Sequence, residues 1–287
     1  MLFFGILATL ASSFWALLLA PQLQIGRQQP AVLESTGQYY PGARPGLAQQ
    51  GAEVYRAQGC AECHSQQVRQ TGFDFEVWLA DPGSNKVELA VAMARLKIRD
   101  AAKRIDEAPA NLVGGLTLAQ AQGIASLLTN GEAKAQAVLY TIGPDIQRQW
   151  GKRGTVAQDY LRDYPVQLGS QRVGPDLANY GTRNTNANVI LLHLYEPART
   201  MPKTMMPPYH YLFTKQKLAV GEPPPGNAVL VLNRSEKDGG EAVVPKPEAE
   251  ALAAYLMSLK AEDALSEAPT YAPPVKAVAA APAPEAK

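Results

Sequence analysis

From Met1 to Gly26 the chain carries no charged side chain, and Leu2–Ala20 is almost wholly apolar. As a helix, about twenty such residues match the hydrocarbon thickness of a bilayer. A cleaved signal peptide is the rival reading. Its positively charged n-region is missing, because Met1-Leu2-Phe3-Phe4 supplies only the α-amino group. Leu19-Ala20-Pro21 is also a poor cleavage site, since proline follows the small residue. Residues 1–26 therefore read as a retained transmembrane anchor in contact with membrane lipid. The flanking charges are too few to fix its orientation.

Beyond the anchor, 287 residues leave room for one or two small domains plus accessory segments. Twenty-seven basic residues stand against 26 acidic ones, a net charge of +1, so there is no electrostatic basis for binding nucleic acid. The 23 prolines and 23 glycines predict many loops.

Residues 27–48 are rich in Gln, Gly, Pro and Tyr and read as an extended linker. Gln49–Gln58 reads as a short helix stopped by Gly59. Residues 73–142 have a different texture, with no His and no Cys. Phe73–Leu79 alternates as a strand does, and Val87–Leu96, Ile98–Glu107 and Thr117–Asn130 have helical spacing. Asn111–Leu116 is short and apolar and fits an added strand, and Ala135–Ile142 reads as a strand by its length. Residues 143–213 read as loop-rich, and a strand or hairpin is expected at Ala228–Leu232. Pro247–Lys260 patterns as a helix. Residues 261–287, rich in Ala, Pro, Glu and Lys, are expected to be disordered.

Both cysteines of the chain lie in one pentapeptide, Cys60-Ala61-Glu62-Cys63-His64. Cys-x-x-Cys-His is the attachment pattern of c-type haem. Two thiols add across the two vinyl groups of one porphyrin edge, and the next residue is then held beneath the iron as an imidazole ligand. Cys60 and Cys63 are thus the candidate thioether residues of one covalent haem c, and His64 the axial ligand. A zinc half-site would need further ligands, and no other Cys exists. A redox dithiol would want a following helix in a βαβ setting, which the flanks lack. The sixth ligand is to be found among Met201, Met205, Met206, His193 and His210. Met206 is favoured because Pro207-Pro208 stiffens the chain beside it, and Met205 comes next. An axial imidazole commonly gives its Nδ1–H to a backbone carbonyl, and Pro175 in Gly174-Pro175-Asp176-Leu177 is the candidate acceptor. Arg69, Arg172, Arg183 and Arg199 are candidate propionate partners, with no basis for choosing among them.

These residues resemble the mono-haem subunit II of cbb3-type cytochrome c oxidases. The resemblance is carried by Gly51–Arg69, with Tyr55, Gly59-Cys60, Cys63-His64-Ser65-Gln66 and Arg69, and by the tract from Trp150-Gly151 through Phe213. The matching pieces of that tract are Asp163-Tyr164-Pro165, Leu168-Gly169-Ser170, Arg172, Gly174-Pro175-Asp176-Leu177-Ala178, His193-Leu194, Pro197 and Met206-Pro207 with Tyr209. Glu248–Lys260 resembles the terminal helix of class I cytochromes c. The resemblance implies a mainly α chain: a class I cytochrome c fold over 49–72 and 143–260, behind one transmembrane helix in the bacterial inner membrane. It implies a periplasm-facing domain that relays electrons to the haem-copper catalytic subunit, in company with other cytochrome c subunits. Carried over by position, Cys60, Cys63, His64 and Met206 are the haem residues. Oxygen chemistry would belong to a partner chain, so no catalytic acid or base is implied here.

Residues 73–142 depart from that family. They resemble the C-terminal domain of the bacterial ribosomal stalk protein, with the order strand, helix, helix, strand, helix, strand. Gly83-Ser84-Asn85-Lys86-Val87, Glu107-Ala108-Pro109-Ala110 and Gly131-Glu132-Ala133-Lys134-Ala135 match its turns. Ala90, Val91 and Ala94 stand where that family presents Lys and Arg, so the implied role is a grafted interaction or spacer domain. Two other functions share part of the pattern. One is a stand-alone anchored cytochrome or the cytochrome subunit of a nitric oxide reductase. The other is a periplasmic scaffold acting through residues 73–142.

Overall fold

The computed structural model describes residues 2–270 apart from 25, 27, 34, 35, 130, 131 and 236–238. The chain separates into two compact units. One joins residues 1–68 to 154–268, and the other comprises Arg69–Arg153.

The apolar N-terminal stretch is helical from Leu2 to Gln24, with a π-helical turn at Trp15–Leu19. Leu2–Leu23 is long and apolar enough to cross a membrane, and no residue of Leu2–Leu19 is buried against protein.

The core of the first unit is a helix crossing. The Gly46–Ala57 helix starts three residues before the expected Gln49, directly after Pro45. It buries Ala48, Gly51 and Tyr55, which share one face at helical spacing. That face meets the Pro247–Ser258 helix, which buries Ala249, Ala251, Leu252, Ala253, Tyr255 and Leu256. The approach is close enough that a Cβ on Gly51 would lie 1.9 Å from Ala251 O. The rings of Tyr55 and Tyr255 meet with centroids 5.3 Å apart. Ile190, Leu191, Leu194 and Tyr195 of the Ala187–Tyr195 helix complete the cluster with Leu177, Leu212 and Phe213.

Helix and strand are mixed in this chain. Eight strands lie in three sheets among the described residues. Where the sequence predicts only a strand or hairpin at Ala228–Leu232, an antiparallel sheet stands instead. Gly239–Pro245 is its central strand, flanked by Phe213–Leu218 and Leu230–Ser235. The outer strand Phe213–Leu218 buries only its first and last residues, so alternation is invisible along it. The central strand buries Ala242, Val243 and Val244 in succession, on both faces.

Residues 27–48 also hold more structure than an extended linker. Ala31–Val32 pairs antiparallel with Tyr39–Tyr40. Tyr40 is buried, and its hydroxyl donates to Asp159 Oδ1 at 2.6 Å. Gln158 Nε2 donates to Gln29 O at 2.6 Å, Arg162 Nε donates to Pro41 O at 2.8 Å, and Arg44 pairs with Asp163. The expected disordered tail is corrected over its first residues as well. Leu265 packs with Leu33 and Tyr40, and Ala268 is buried. The apolar residues here are too sparse for any periodicity, and their partners come from distant chain. The rest of that expectation, residues 271–287, lies outside the described residues.

The second unit is a three-stranded antiparallel sheet with helices. Gly72–Asp81 is central, between Ala110–Leu116 and Lys134–Ile142. Alternation along the central strand buries Val77 and Leu79. They pack on Leu89 and Met93 of the Lys86–Arg95 helix and on Ala121, Ala125 and Leu128 of the Leu118–Leu128 helix. Both helices are capped. Asn85 accepts from Glu88 N at 3.3 Å, and Thr117 with Gln120 forms a capping box. The helix expected over Ile98–Glu107 is shortened to Ala101–Asp106, because Lys97 and Asp100 adopt left-handed backbone at φ 56° and 54°.

Gly51→Ala should lower the stability of the first unit by about 1–3 kcal/mol, the cost of overpacking a tight contact. Gly42, whose Cβ would meet nothing within 4 Å, is the control, and Gly42→Ala should stay within about 0.5 kcal/mol of wild type. Denaturant unfolding of both variants checks this.

Candidate functional site

The Cys60–His64 segment grows from the end of the Gly46–Ala57 helix. Gly59 takes φ +68°, the left-handed conformation that closes a helix and that glycine tolerates. Cys60–Glu62 then forms a 3-10 turn. Cys63 N and His64 N both donate to Cys60 O, at 3.2 and 3.0 Å. The turn leaves Cys60 half-buried and Cys63 exposed, both as free thiols. Burial, above all, pushes the Cys60 thiol up to about 11.

A second segment lies along this loop. Gln66 N donates to Leu168 O, Ser170 N to Ala61 O, Gly174 N to Cys63 O and Leu177 N to Ser65 O, all at 2.8–3.0 Å. His64 Nδ1 lies 2.8 Å from Pro175 O. A carbonyl only accepts, so Nδ1 carries the proton and Nε2 is left with a lone pair. Burial holds the imidazole below its ordinary range, partly offset by the Pro175 carbonyl and by Asp176. The ring is cradled by Gly174, where a Cβ would lie 2.2 Å from His64 Cε1. Gly169, at φ +82°, lies as close to the backbone, and its Cβ would be 2.2 Å from His64 O.

Asp176 braces the loop from beneath. It is fully buried. Its Oδ2 accepts from Ser65 Oγ at 2.6 Å and Gln67 N at 2.7 Å, and its Oδ1 from Ala178 N at 2.9 Å. Those bonds replace the water a buried carboxylate loses. Gln66 Nε2 donates to Tyr255 OH at 3.0 Å, joining the loop to the last helix. Neither Asp176 nor Gln66 stands out in sequence as structural. The only signal is a polar residue beside each ligand motif, and that does not separate a buried carboxylate from a solvated one.

Met206 is half-buried and packs against the core cluster, as do Cys60, Ala61 and Tyr209. Met201 and Met205 are 54% and 78% exposed. His193 is half-buried, and His210 is exposed with its ring 4.5 Å from that of Tyr195. Of the arginines, Arg172 Nη2 donates to Gln67 O and lies 3.8 Å from Asp176 Oδ2, while Arg183 donates to Asp176 O. Arg199 pairs with Glu196 at 3.4 Å. Arg69 belongs to the other unit, where its amide donates to Asp145 Oδ2.

Two thiols on one turn, an imidazole with a lone pair on Nε2 and a half-buried thioether are the donor types that could hold a c-type haem. A Cβ at Gly174 would occupy the place of the ring whose Nδ1 meets the Pro175 carbonyl. Among the described residues, no group of three or more His, Cys, Asp or Glu side chains gathers to hold a bare metal ion.

Gly174→Ala should displace the His64 ring and speed solvent exchange of its Nδ1–H by about tenfold. That is the equivalent of one net hydrogen bond of roughly 1.4 kcal/mol. Gly226, with nothing within 4 Å of its Cβ position, is the control. Nitrogen-15 NMR of the His64 ring in Gly174→Ala and Gly226→Ala measures it.

Comparison with known proteins places part of this chain. A family model described as "Cytochrome C oxidase, mono-heme subunit/FixO" matches residues 145–222. No curated protein matches the chain. The matched stretch holds Gly169, Gly174, Pro175, Asp176, His193 and Met206, and it ties this region of the chain to the mono-haem subunit of cytochrome c oxidase.

Proposed function

We propose that this chain is the membrane-anchored mono-haem c-type cytochrome subunit of a cbb3-type terminal oxidase, relaying electrons to a haem-copper catalytic subunit in aerobic respiration. One coincidence carries the reading. The family match over 145–222 covers the residues that meet the Cys60–His64 loop, and that loop lies outside the matched stretch.

In this reading Cys60 and Cys63 would form the thioether bonds, and His64 Nε2 and the Met206 thioether would hold the iron. The bound haem supplies a one-electron ferric/ferrous couple. Pro175 fixes the orientation of His64, and an imidazole held by a hydrogen bond at Nδ1 is a better donor at Nε2. A thioether at the sixth position raises the potential relative to a second imidazole. Residues 49–72 and 143–260 would form a split class I cytochrome c domain. The Leu2–Leu23 helix would hold it to the bacterial inner membrane with the haem on the periplasmic side, where covalent attachment occurs. Residues 73–142 would be a stalk-like domain grafted between the two halves and used for protein contacts. Its element order supports this: strand, helix, helix, strand, helix, strand.

Affinity purification of the full chain from membranes should recover a haem-copper subunit, oxidase activity, and a reduced pyridine haemochrome of one c-type haem per chain. Recovery of the chain alone, without oxidase activity, would defeat the oxidase reading. Nitric oxide reductase activity in the recovered complex would replace it with the reductase one.

A further inference from the structure

The stretch that provides Met206 also provides a second donor. His193 sits in the last turn of the Ala187–Tyr195 helix, whose start is fixed by Asn186 accepting from Asn188 N at 3.0 Å. Tyr209 N donates to Leu194 O at 2.9 Å. That bond fastens the Met206–Tyr209 loop to the turn of helix that bears His193. The two side chains therefore come from adjoining strips of chain.

The imidazole of His193 is held in one tautomer. Thr200 Oγ1 donates to Pro197 O at 3.1 Å. A hydroxyl has one proton, so toward His193 Nδ1, with which it also bonds, Thr200 Oγ1 can only accept. Nδ1 of His193 is then the N–H, and Nε2 carries the lone pair. This is the arrangement that Pro175 imposes on His64. Burial first, and then the His64 imidazole, disfavour the charged form of His193. Of the other candidates, Met201 and Met205 are exposed and His210 packs on Tyr195.

We propose that His193 is a reserve axial ligand, which takes the haem iron through Nε2 when Met206 is displaced. This rests on the reading of His64 and Met206 as the resting ligands. In the exchange an iron–sulfur coordinate bond breaks and an iron–nitrogen bond forms. No electron moves, and no proton has to leave, because Nε2 already carries its lone pair. The product is a bis-imidazole haem of lower potential. The chain would then hold two states of different driving force toward the same partner.

The test uses the full haem-loaded chain as Met206→Ala and as Met206→Ala/His193→Ala, with haem content and far-UV circular dichroism confirming equal folding. Met206→Ala should lose the weak thioether-to-iron charge-transfer band, remain low-spin with a bis-imidazole spectrum, and resist added imidazole. The double variant should turn high-spin and bind imidazole at least tenfold more tightly. A high-spin Met206→Ala that binds imidazole as well as the double variant would overturn the proposal and leave the Met206 reading intact. A double variant that stays low-spin would overturn it too, by assigning the ligand to another residue. Retention of the thioether band in Met206→Ala would instead remove the Met206 reading, and the proposal with it. A second measurement covers a variant that fails to fold. Wild type in sub-denaturing urea should pass through a reversible low-spin bis-imidazole form, and His193→Ala should not; the same form in both would overturn the proposal.

Discussion

The hydrogen bond from His64 Nδ1 to Pro175 O is the contact on which the rest of the candidate site depends. It joins residues that are far apart in sequence, fixes the tautomer of the ring and leaves the lone pair on Nε2. It forms only because Gly174 has no Cβ to occupy the place of the imidazole. The surrounding bonds serve the same end. Four backbone bonds hold the Leu168–Leu177 stretch alongside the loop, and Asp176 accepts from both Ser65 and Gln67. A ligand held this way loses little entropy when it binds, because its rotamer is already chosen.

The helix crossing at Gly51 supports that arrangement from the other side. Gly46–Ala57 ends at the Gly59 turn, so its packing on Pro247–Ser258 determines where Cys60 begins. Tyr255 links the crossing to the loop through Gln66, and burial raises its own phenol to about 12. That phenol stays neutral at any physiological pH and serves as a fixed hydrogen-bonding partner. Gln29, Tyr40, Pro41 and Arg44 are tied to Gln158, Asp159, Arg162 and Asp163, so the chain just before the Gly46–Ala57 helix is held against the first unit.

Much of the candidate site is legible in sequence because its chemistry is local. To meet one porphyrin edge and its iron, Cys60, Cys63 and His64 would have to lie within five residues, as they do, and Pro175 is marked by the glycine before it and the aspartate after it. Helices and strands of the second unit are legible for a similar reason: Val77 and Leu79, or Leu89 and Met93, repeat at the period of their element. What escaped reading depends on distant partners. The sheet around Gly239–Pro245 has outer strands whose apolar residues fall at their ends. Leu265 packs with Leu33 and Tyr40, more than two hundred positions away. His193 and Met206 cannot be ranked from spacing, because burial and the Thr200 and Tyr209 contacts are tertiary facts.

The claim at the centre is that His64 and Met206 close on one haem across more than a hundred residues of intervening chain. Carbon-13 labelling of the methyl groups of the six methionines, read by NMR in the reduced protein, tests it most directly. One methyl should move far upfield under the porphyrin ring current, and Met206→Leu should abolish that signal while Met205→Leu leaves it. Contradiction would be a spectrum with no upfield methyl, or one whose upfield methyl disappears with Met205→Leu instead.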